Sequence, residues 1–362
     1  MIKLKIDNTE YEAPEGSTVL DVATGAGLSI PTMCHKKGIP HYSSCMVCMV
    51  KDKRTGNYVP SCSALAQEGM EIDISGEDVI SLRRGAIELL LSEHRAECEA
   101  PCKVVCPAGY NIPLMNRLLS ARDFEGAFQL TLYEVKSAEI ACTVCPAYCE
   151  NACRRKKVDI PVSIRNMKLF ISQQIKLDKT EQETVEELAE DVLTVTGDKL
   201  KKRARPFSSK IGKLESTELQ EWLKECPDEI TRFREISDLN SASCESQSCM
   251  HCDCRAADDC RLRDLSRDFA IKDPRGKLVN SPIVKKINHK TGLIFENAKC
   301  IKCGLCVRLC EDSTDEPALC FINRGFISII SEPLTEDFDN ILKTKSQAVI
   351  DICPTGALSK FK

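Results

Sequence analysis

The chain opens with Ile2, Leu4 and Ile6 alternating with charged residues, the period-2 pattern of a half-buried strand. Asp7-Asn8 supplies a turn and Tyr11 starts the return strand. Ser17 or Thr18 is placed to cap a short helix through Val19, Leu20, Val22 and Ala23, which Gly25-Ala26-Gly27 ends. Val47–Lys51 and Tyr58–Val59 flank the hairpin turn Arg54-Thr55-Gly56-Asn57, and Met70–Ile74 alternates once more. Residues 1–80 thus predict a small β-rich module. Beyond them the period lengthens. Ile87, Leu90 and Leu91 share one helical face, Leu114, Leu118, Leu119, Phe124 and Phe128 a second, and Ile164, Met167 and Ile171 a third, so 81–175 is predicted mostly helical. Residues 176–243 are charged, with an acidic amphipathic helix at Glu181–Leu193 and a basic run at Lys199–Arg205. That run reads as solvated surface, with a docking patch for an acidic partner as the alternative. From 244 to 362 strand-like pieces return at Ile283–Ile287 and Phe326–Ile330. No fixed-period repeat or low-complexity tract interrupts these four segments.

A length of 362 residues suits two to four modules, and 43% hydrophobic content is that of a globular chain. The net charge of −4 gives no reason to expect nucleic acid as a partner. No apolar run reaches the ~18 residues of a membrane-spanning helix, and the alternating N-terminus is not a signal peptide, so a cytoplasmic protein is expected. The 23 cysteines change the picture. Their number is odd, and they stand in groups spaced by two or three residues. Such spacing aims several thiolates at one point, as a metal site requires and a disulfide framework does not.

Cys34, Cys45, Cys48 and Cys62 follow C-x10-C-x2-C-x13-C, an excursion loop that gives three thiolates and a hairpin that returns the fourth. This suits a [2Fe–2S] cluster better than zinc, whose ribbons use two close pairs. The arrangement resembles the N-terminal ferredoxin-like domain of the complex I large iron–sulfur subunit and of related hydrogenases and formate dehydrogenases. Ser44 stands where that family usually has glycine. Leu82–His94 also resembles complex I, where a histidine followed by cysteines holds a [4Fe–4S] cluster.

Cys98, Cys102 and Cys106-Pro107-Ala108-Gly109, with Cys142, Cys145-Pro146, Cys149-Glu150 and Cys153-Arg154 further on, resemble a different family. It is the double-[4Fe–4S] domain of the glutamate synthase small subunit and dihydropyrimidine dehydrogenase. The resemblance implies that Cys98, Cys102 and Cys153 serve one cluster, and Cys106, Cys145 and Cys149 the other. Each set lacks one ligand. His94 is the candidate for the first vacancy, with a capping role as its alternative. For the second, the family offers a carboxylate or amide where this chain has Lys168, whose ammonium cannot ligate iron, and Cys142 is a cysteine that the family leaves free.

Cys249-x2-Cys252-x-Cys254-x5-Cys260, followed by Arg261-Leu-Arg-Asp-Leu265, resembles complex I again and could hold [4Fe–4S] or zinc, the cluster being favoured by its neighbours. The double-cluster domain then reads as an insertion. Cys300, Cys303 and Cys306 form the tight loop that begins a [4Fe–4S] site, and Cys353-Pro354 returns the fourth thiolate. Asp351–Leu358 and Asn323-Arg-Gly325 resemble complex I closely. Cys226, Cys244, Cys310 and Cys320 are left over.

The expected fold class is therefore α+β multidomain: a β-grasp [2Fe–2S] ferredoxin-like domain, a helical double-[4Fe–4S] domain, a charged linker and a C-terminal ferredoxin-like [4Fe–4S] region. One [2Fe–2S] and up to four [4Fe–4S] clusters are expected. No G-x-G-x-x-G follows a strand and no catalytic triad is visible, so the expected role is electron transfer inside a larger oxidoreductase. Its expected partners are flavoprotein subunits that use FMN or FAD with NAD(P)H, together with a hydrogenase, a formate dehydrogenase or ferredoxin. A cluster-bearing scaffold or redox sensor is the alternative.

Overall fold

Asp7 and Asn8 both adopt positive φ, 46° and 70°, a conformation their short polar side chains tolerate. They fold β1 (Ile2–Ile6) back on β2 (Thr9–Ala13) in antiparallel register. β3 (Met49–Asp52) and β4 (Tyr58–Pro60) close around Gly56 at φ 74°, while the Asp52 carboxylate accepts from Arg54 N (3.0 Å) and Thr55 Oγ1 (3.0 Å). With β5 (Glu71–Asp73) they form a five-stranded sheet in the order β2-β1-β5-β3-β4, where only β1 and β5 run parallel. The Val19–Gly25 helix starts at Thr18, whose side chain and that of Asp21 form a reciprocal capping box. Its Val19, Leu20, Val22 and Ala23 are buried with Leu4, Ile6, Val50 and Ile72 in one core.

The computed structural model describes residues 1–40, 42–95, 97–135, 138–178, 214, 216–271, 283–311 and 316–361. The expected acidic helix at 181–193 and the basic run at 199–205 lie outside the described residues. Two compact units emerge. The first contains described residues of Met1–Ala96 and Asp259–Phe361, the second those of Glu97–Arg205 and Ser209–Asp258.

In the first unit the Glu77–Glu93 helix packs Ala86, Ile87 and Leu91 with Met33, Cys34, Cys45, Val47, Leu262 and Ile271. The rest of this unit is built on the antiparallel sheet β10-β7-β6, formed by β6 (Lys285–Asn288), β7 (Leu293–Glu296) and β10 (Leu358–Lys360). β8 (Cys320–Ile322) and β9 (Ile329–Ser331) form a separate antiparallel hairpin. The strand expected from Phe326 starts later, because Asn323 and Gly325 take positive φ and Gly325–Ile327 forms a 3₁₀ turn.

The second unit is helical. The Ile112–Ser120, Phe124–Glu134 and Ile164–Asp178 helices bury Ile112, Met115, Leu119, Ala127, Ile164, Met167 and Ile171 around the fully buried Tyr110. Residues 216–258, expected partly as a linker and partly as C-terminal region, pack here instead. Glu245, 1% exposed, accepts from Ser163 N (2.9 Å) and Phe233 N (2.8 Å) and pairs with Arg232 (2.9 Å). Trp222 is buried with the Arg154 guanidinium 5.4 Å from its ring centroid.

Candidate metal centres

Twenty-three cysteines sit in the two units without a disulfide among them. Among the described residues no three or more His, Cys, Asp or Glu converge as the ligands of one metal ion. Eight of the cysteines line two hollows. Zinc draws four thiolates to one ion, whereas a cluster spreads them over two irons in [2Fe–2S] or four in [4Fe–4S] and needs space between them.

In the first unit the loop from Met33 to Cys48 buries Cys34, Cys45 and Cys48, and the turn after β4 buries Cys62; all four are at most 6% exposed. Met46 at φ 54° bends the backbone between the second and third cysteines. Cys34 is paired with Cys45, whose thiol lowers the Cys34 thiol to about 4 and is itself pushed far up. Cys48 and Cys62 form a second such pair, with Cys48 lowered to about 6. The charge of Cys34 reaches both members of that second pair, so the four thiols form one group. Ser43 Oγ lies 3.3 Å from Cys62 Sγ and is a hydroxyl donor placed for a thiolate.

Also in this unit, Cys300, Cys303, Cys306 and Cys353 line a single hollow whose other walls include Phe295, Ile301 and Leu305. Lys302 (φ 54°) and Gly304 (φ 73°) turn the 300–306 loop inward; a Cβ on Gly304 would also meet the Phe321 ring at 3.2 Å. Lys302 N donates to Cys300 Sγ at 3.3 Å, and the N–H groups of Leu305 and Val307 reach the thiols of Cys303 and Cys306. Burial raises all three thiols, and those backbone donors oppose it. Cys353 comes from the C-terminus of the Ser346–Ile352 helix. Thr355 Oγ1, 3.8 Å from its sulfur, donates to the Lys299 carbonyl (2.9 Å). The same carbonyl faces His94 Nδ1 at 2.9 Å. Burial lowers the imidazole to about 4, so its neutral ring donates the Nδ1–H to the Lys299 carbonyl and keeps a lone pair on Nε2, the form of a metal-binding histidine. Cys260 Sγ lies 3.9 Å from the Pro354 carbonyl.

The two cysteine groups of the first unit are neighbours. Arg308, 2% exposed, donates from Nη2 to the carbonyls of Cys34 (3.1 Å) and Cys303 (2.7 Å), and from Nη1 to that of Pro40 (2.7 Å). The Cys303 thiol also feels the charge of Cys34.

The second unit regroups the cysteines relative to their spacing in the sequence. Cys102 and Cys153 line one hollow together with Cys249 and Cys252. His94, expected beside Cys98, Cys102 and Cys153, belongs to the first unit, and so does Cys260, expected with Cys249, Cys252 and Cys254. Cys98 and Cys254 meet through their backbones, Cys254 N donating to the Cys98 carbonyl at 3.1 Å. Elsewhere in this unit Cys106, Cys142 and Cys149 surround Lys168, and Cys145 lies near Cys142. Burial raises the Cys142 thiol, which hydrogen-bonds the Lys168 amine and feels the charges of Cys106 and Cys145. Burial disfavours the ammonium of Lys168, 4% exposed, but the thiols of Cys149, Cys142 and Cys106 outweigh it and hold the amine protonated. The family counterpart of Cys142 is free, and the contact of Cys142 with Lys168 depends on helix packing that spacing does not reveal.

Family models match three stretches of the chain. Residues 1–76 match a 2Fe-2S iron–sulfur cluster binding domain, 92–180 match domain II of dihydropyrimidine dehydrogenase, a 4Fe-4S domain, and 293–359 match the ferredoxin-like domain of NADH-quinone oxidoreductase subunit 3. The chain is a mosaic of iron–sulfur domains. It is 30% identical over 129 residues to an NADH-quinone oxidoreductase subunit of Rhizobium meliloti (strain 1021), covering 36% of this chain and 14% of that protein. It is 34% identical over 97 residues to a putative formate dehydrogenase of Bacillus subtilis (strain 168), 27% of this chain and 10% of the other. The gamma subunit of the NAD-reducing hydrogenase HoxS of Cupriavidus necator is 29% identical over 119 residues, 32% of this chain and half of that subunit, 50%. The mosaic thus spans at most half the length of these relatives. A crystal structure of NAD⁺-reducing [NiFe]-hydrogenase in the H₂-reduced state superposes with a TM-score of 0.50 at 16% identity, covering 99% of this chain and 87% of that one, a likeness of fold. No helix among the described residues is long and apolar enough to cross a membrane.

Proposed function

We propose that this chain relays single electrons through one [2Fe–2S] and up to four [4Fe–4S] clusters inside a cytoplasmic, NAD(P)H-linked oxidoreductase. The observation that carries this reading is the contact between the two cysteine groups of the first unit, where one buried arginine bonds the carbonyls of Cys34 and Cys303. Electron tunnelling falls steeply with distance, and a protein that uses its clusters only as structural staples has no need to hold two of them side by side. Cys34, Cys45, Cys48 and Cys62 would hold the [2Fe–2S] cluster in a β-grasp scaffold, and Cys300, Cys303, Cys306 and Cys353 a [4Fe–4S] cluster. When bound, these groups accept and release one electron at a time. The protein's part is to fix the thiolates, point N–H donors at their sulfurs and keep the walls dry, which together set the potential.

A nicotinamide gives up two electrons as hydride, so a flavin must stand between it and any cluster. The partner is therefore a flavoprotein subunit using FMN or FAD, in an assembly that ends on a hydrogenase, a formate dehydrogenase or ferredoxin. The test mixes the anaerobic, cluster-loaded chain with NADH or NADPH and a dye acceptor, alone and after adding the flavoprotein subunits that co-purify with it. Dye reduction only with the flavoprotein is expected. Robust reduction by the flavin-free chain would sink the relay and point to an active site in the chain itself.

A further inference from the structure

The matched double-cluster domain ends at residue 180, yet one of its two cysteine groups is half built from residues beyond that point. We propose that Cys249 and Cys252 complete, with Cys102 and Cys153, a four-thiolate [4Fe–4S] site, so that a downstream loop supplies half of that domain's first ligand set. The inference rests on the cluster reading above and adds which residues share an iron–sulfur core.

The hollow supports this directly. Its walls hold those four cysteines and apolar side chains such as Pro101, Pro113, Val162 and Ile164. Cys249 is 9% exposed, and Cys102 lies close enough to feel the charges of Cys249, Cys252 and Cys153. Hydrogen-bond donors serve the thiols from the backbone: the N–H of His251 points at Cys249, and those of Val162 and Arg155 at Cys153. A group of buried thiolates needs such donors and a cationic core to offset the loss of water.

The loop is built to present this pair. His251 takes φ 46°, which turns the backbone between Cys249 and Cys252 so that both thiols face the same hollow. Arg117, on the Ile112–Ser120 helix, grips Asp253 through two hydrogen bonds of 2.8 and 2.9 Å, and the Arg255 guanidinium pairs with the buried Glu225. On the far side, Cys226 Sγ lies 3.5 Å from the Cys249 carbonyl. A loop held after Cys252 by two buried ion pairs and before Cys249 by the Arg155 hydrogen bond to the Ser248 carbonyl (3.2 Å) is a fixed half-site. Cys102 and Cys153 alone would leave two irons of a [4Fe–4S] core without protein thiolates.

The rival arrangement is a separate cluster on Cys249, Cys252, Cys254 and Cys260, as their spacing in the sequence suggests. The two differ in additivity. In the full chain, loaded anaerobically, Cys102→Ala and Cys249→Ala are each expected to remove about four irons, one [4Fe–4S] core. The double variant Cys102→Ala/Cys249→Ala is expected to lose the same four and no more, because both residues serve one core, with Mössbauer spectra showing the same missing component in all three proteins. Cys244→Ala, in a thiol outside the hollow, is expected to retain full iron. Emission from Trp222, the only tryptophan and a buried residue of the same unit, reports that each variant has folded. A double variant that loses about eight irons, or a folded Cys249→Ala that loses none, overturns the proposal. A chain that passes this test and yet reduces dye without a flavoprotein would sink the relay and leave the shared site standing.

Discussion

Replacing Arg308 by methionine keeps the side-chain stem and removes the guanidinium that joins the two cysteine groups of the first unit. Three carbonyls lose their donor, Pro40 and Cys34 in one loop and Cys303 in the other, while the Gly304 carbonyl keeps the Arg308 backbone N–H. Hydrogen bonds from a charged donor contribute about 1.5–3 kcal/mol each, so losing the two that cross between the loops costs roughly 3–6 kcal/mol. At about 2–4 °C per kcal/mol for a unit of this size, the melting temperature should fall by roughly 6–24 °C. Arg308→Lys should fall between the two, since an ammonium can serve some of these carbonyls but cannot fork across both loops. The assay is thermal unfolding of the anaerobic, cluster-loaded chain, followed by EPR of the fully reduced protein. Wild-type protein should show the two spin systems broadening one another; in the methionine variant that interaction should weaken. A melting temperature within about 1 °C of wild type, with unchanged spectra, would refute the bracing role assigned to Arg308.

Replacing Cys353 with serine should remove the [4Fe–4S] signal of the C-terminal group, whereas Cys310→Ser, a buried leftover thiol, should be mild by EPR and iron content; equal damage from both would mean that the ligand set is wrong. Fully loaded chain should contain about 18 iron atoms, and anaerobic protein with fewer than about ten irons and substantial zinc would remove the middle clusters from the account. Burial alone would raise the Asp253 carboxyl, but Arg117 and Arg255 hold it well below the usual carboxylate range. Its pairing therefore stabilises the helical unit fully above about pH 4, and this is lost as pH falls through the lowered value, so urea midpoints should drop steeply between pH 5 and acid, and Asp253→Asn should flatten that slope.

Local chemistry explains what the sequence made legible. The turn at Asp7-Asn8, the Thr18 cap and the Arg54–Asn57 hairpin each rest on a few neighbouring residues, and the [2Fe–2S] loop follows from them. The same holds for Cys300–Cys306, where the left-handed Lys302 and Gly304 shape the loop. The middle was harder because its ligands come from far apart in the chain. Four cysteines within 249–260 look like one self-contained set, but the left-handed His251 and the Arg117 fork fix the loop of the first two inside the helical unit, and Cys260 belongs to the other unit. Lys168 looked like a misfit at a ligand position; it is a buried cation beside thiols, and Cys142 meets it there. Returning cysteines mark a boundary at 243 in the sequence, but the Glu245 carboxylate ties the 232–245 segment to the helices.

The relay itself is tested most directly by following one electron. Oxidised, cluster-loaded chain is mixed with less than one equivalent of methyl viologen radical and freeze-quenched for EPR at increasing times. Redistribution between the [2Fe–2S] and C-terminal [4Fe–4S] signals should proceed at a rate independent of protein concentration, as transfer within one unit requires. A redistribution rate that rises in proportion to protein concentration, or no redistribution at all, would contradict the account.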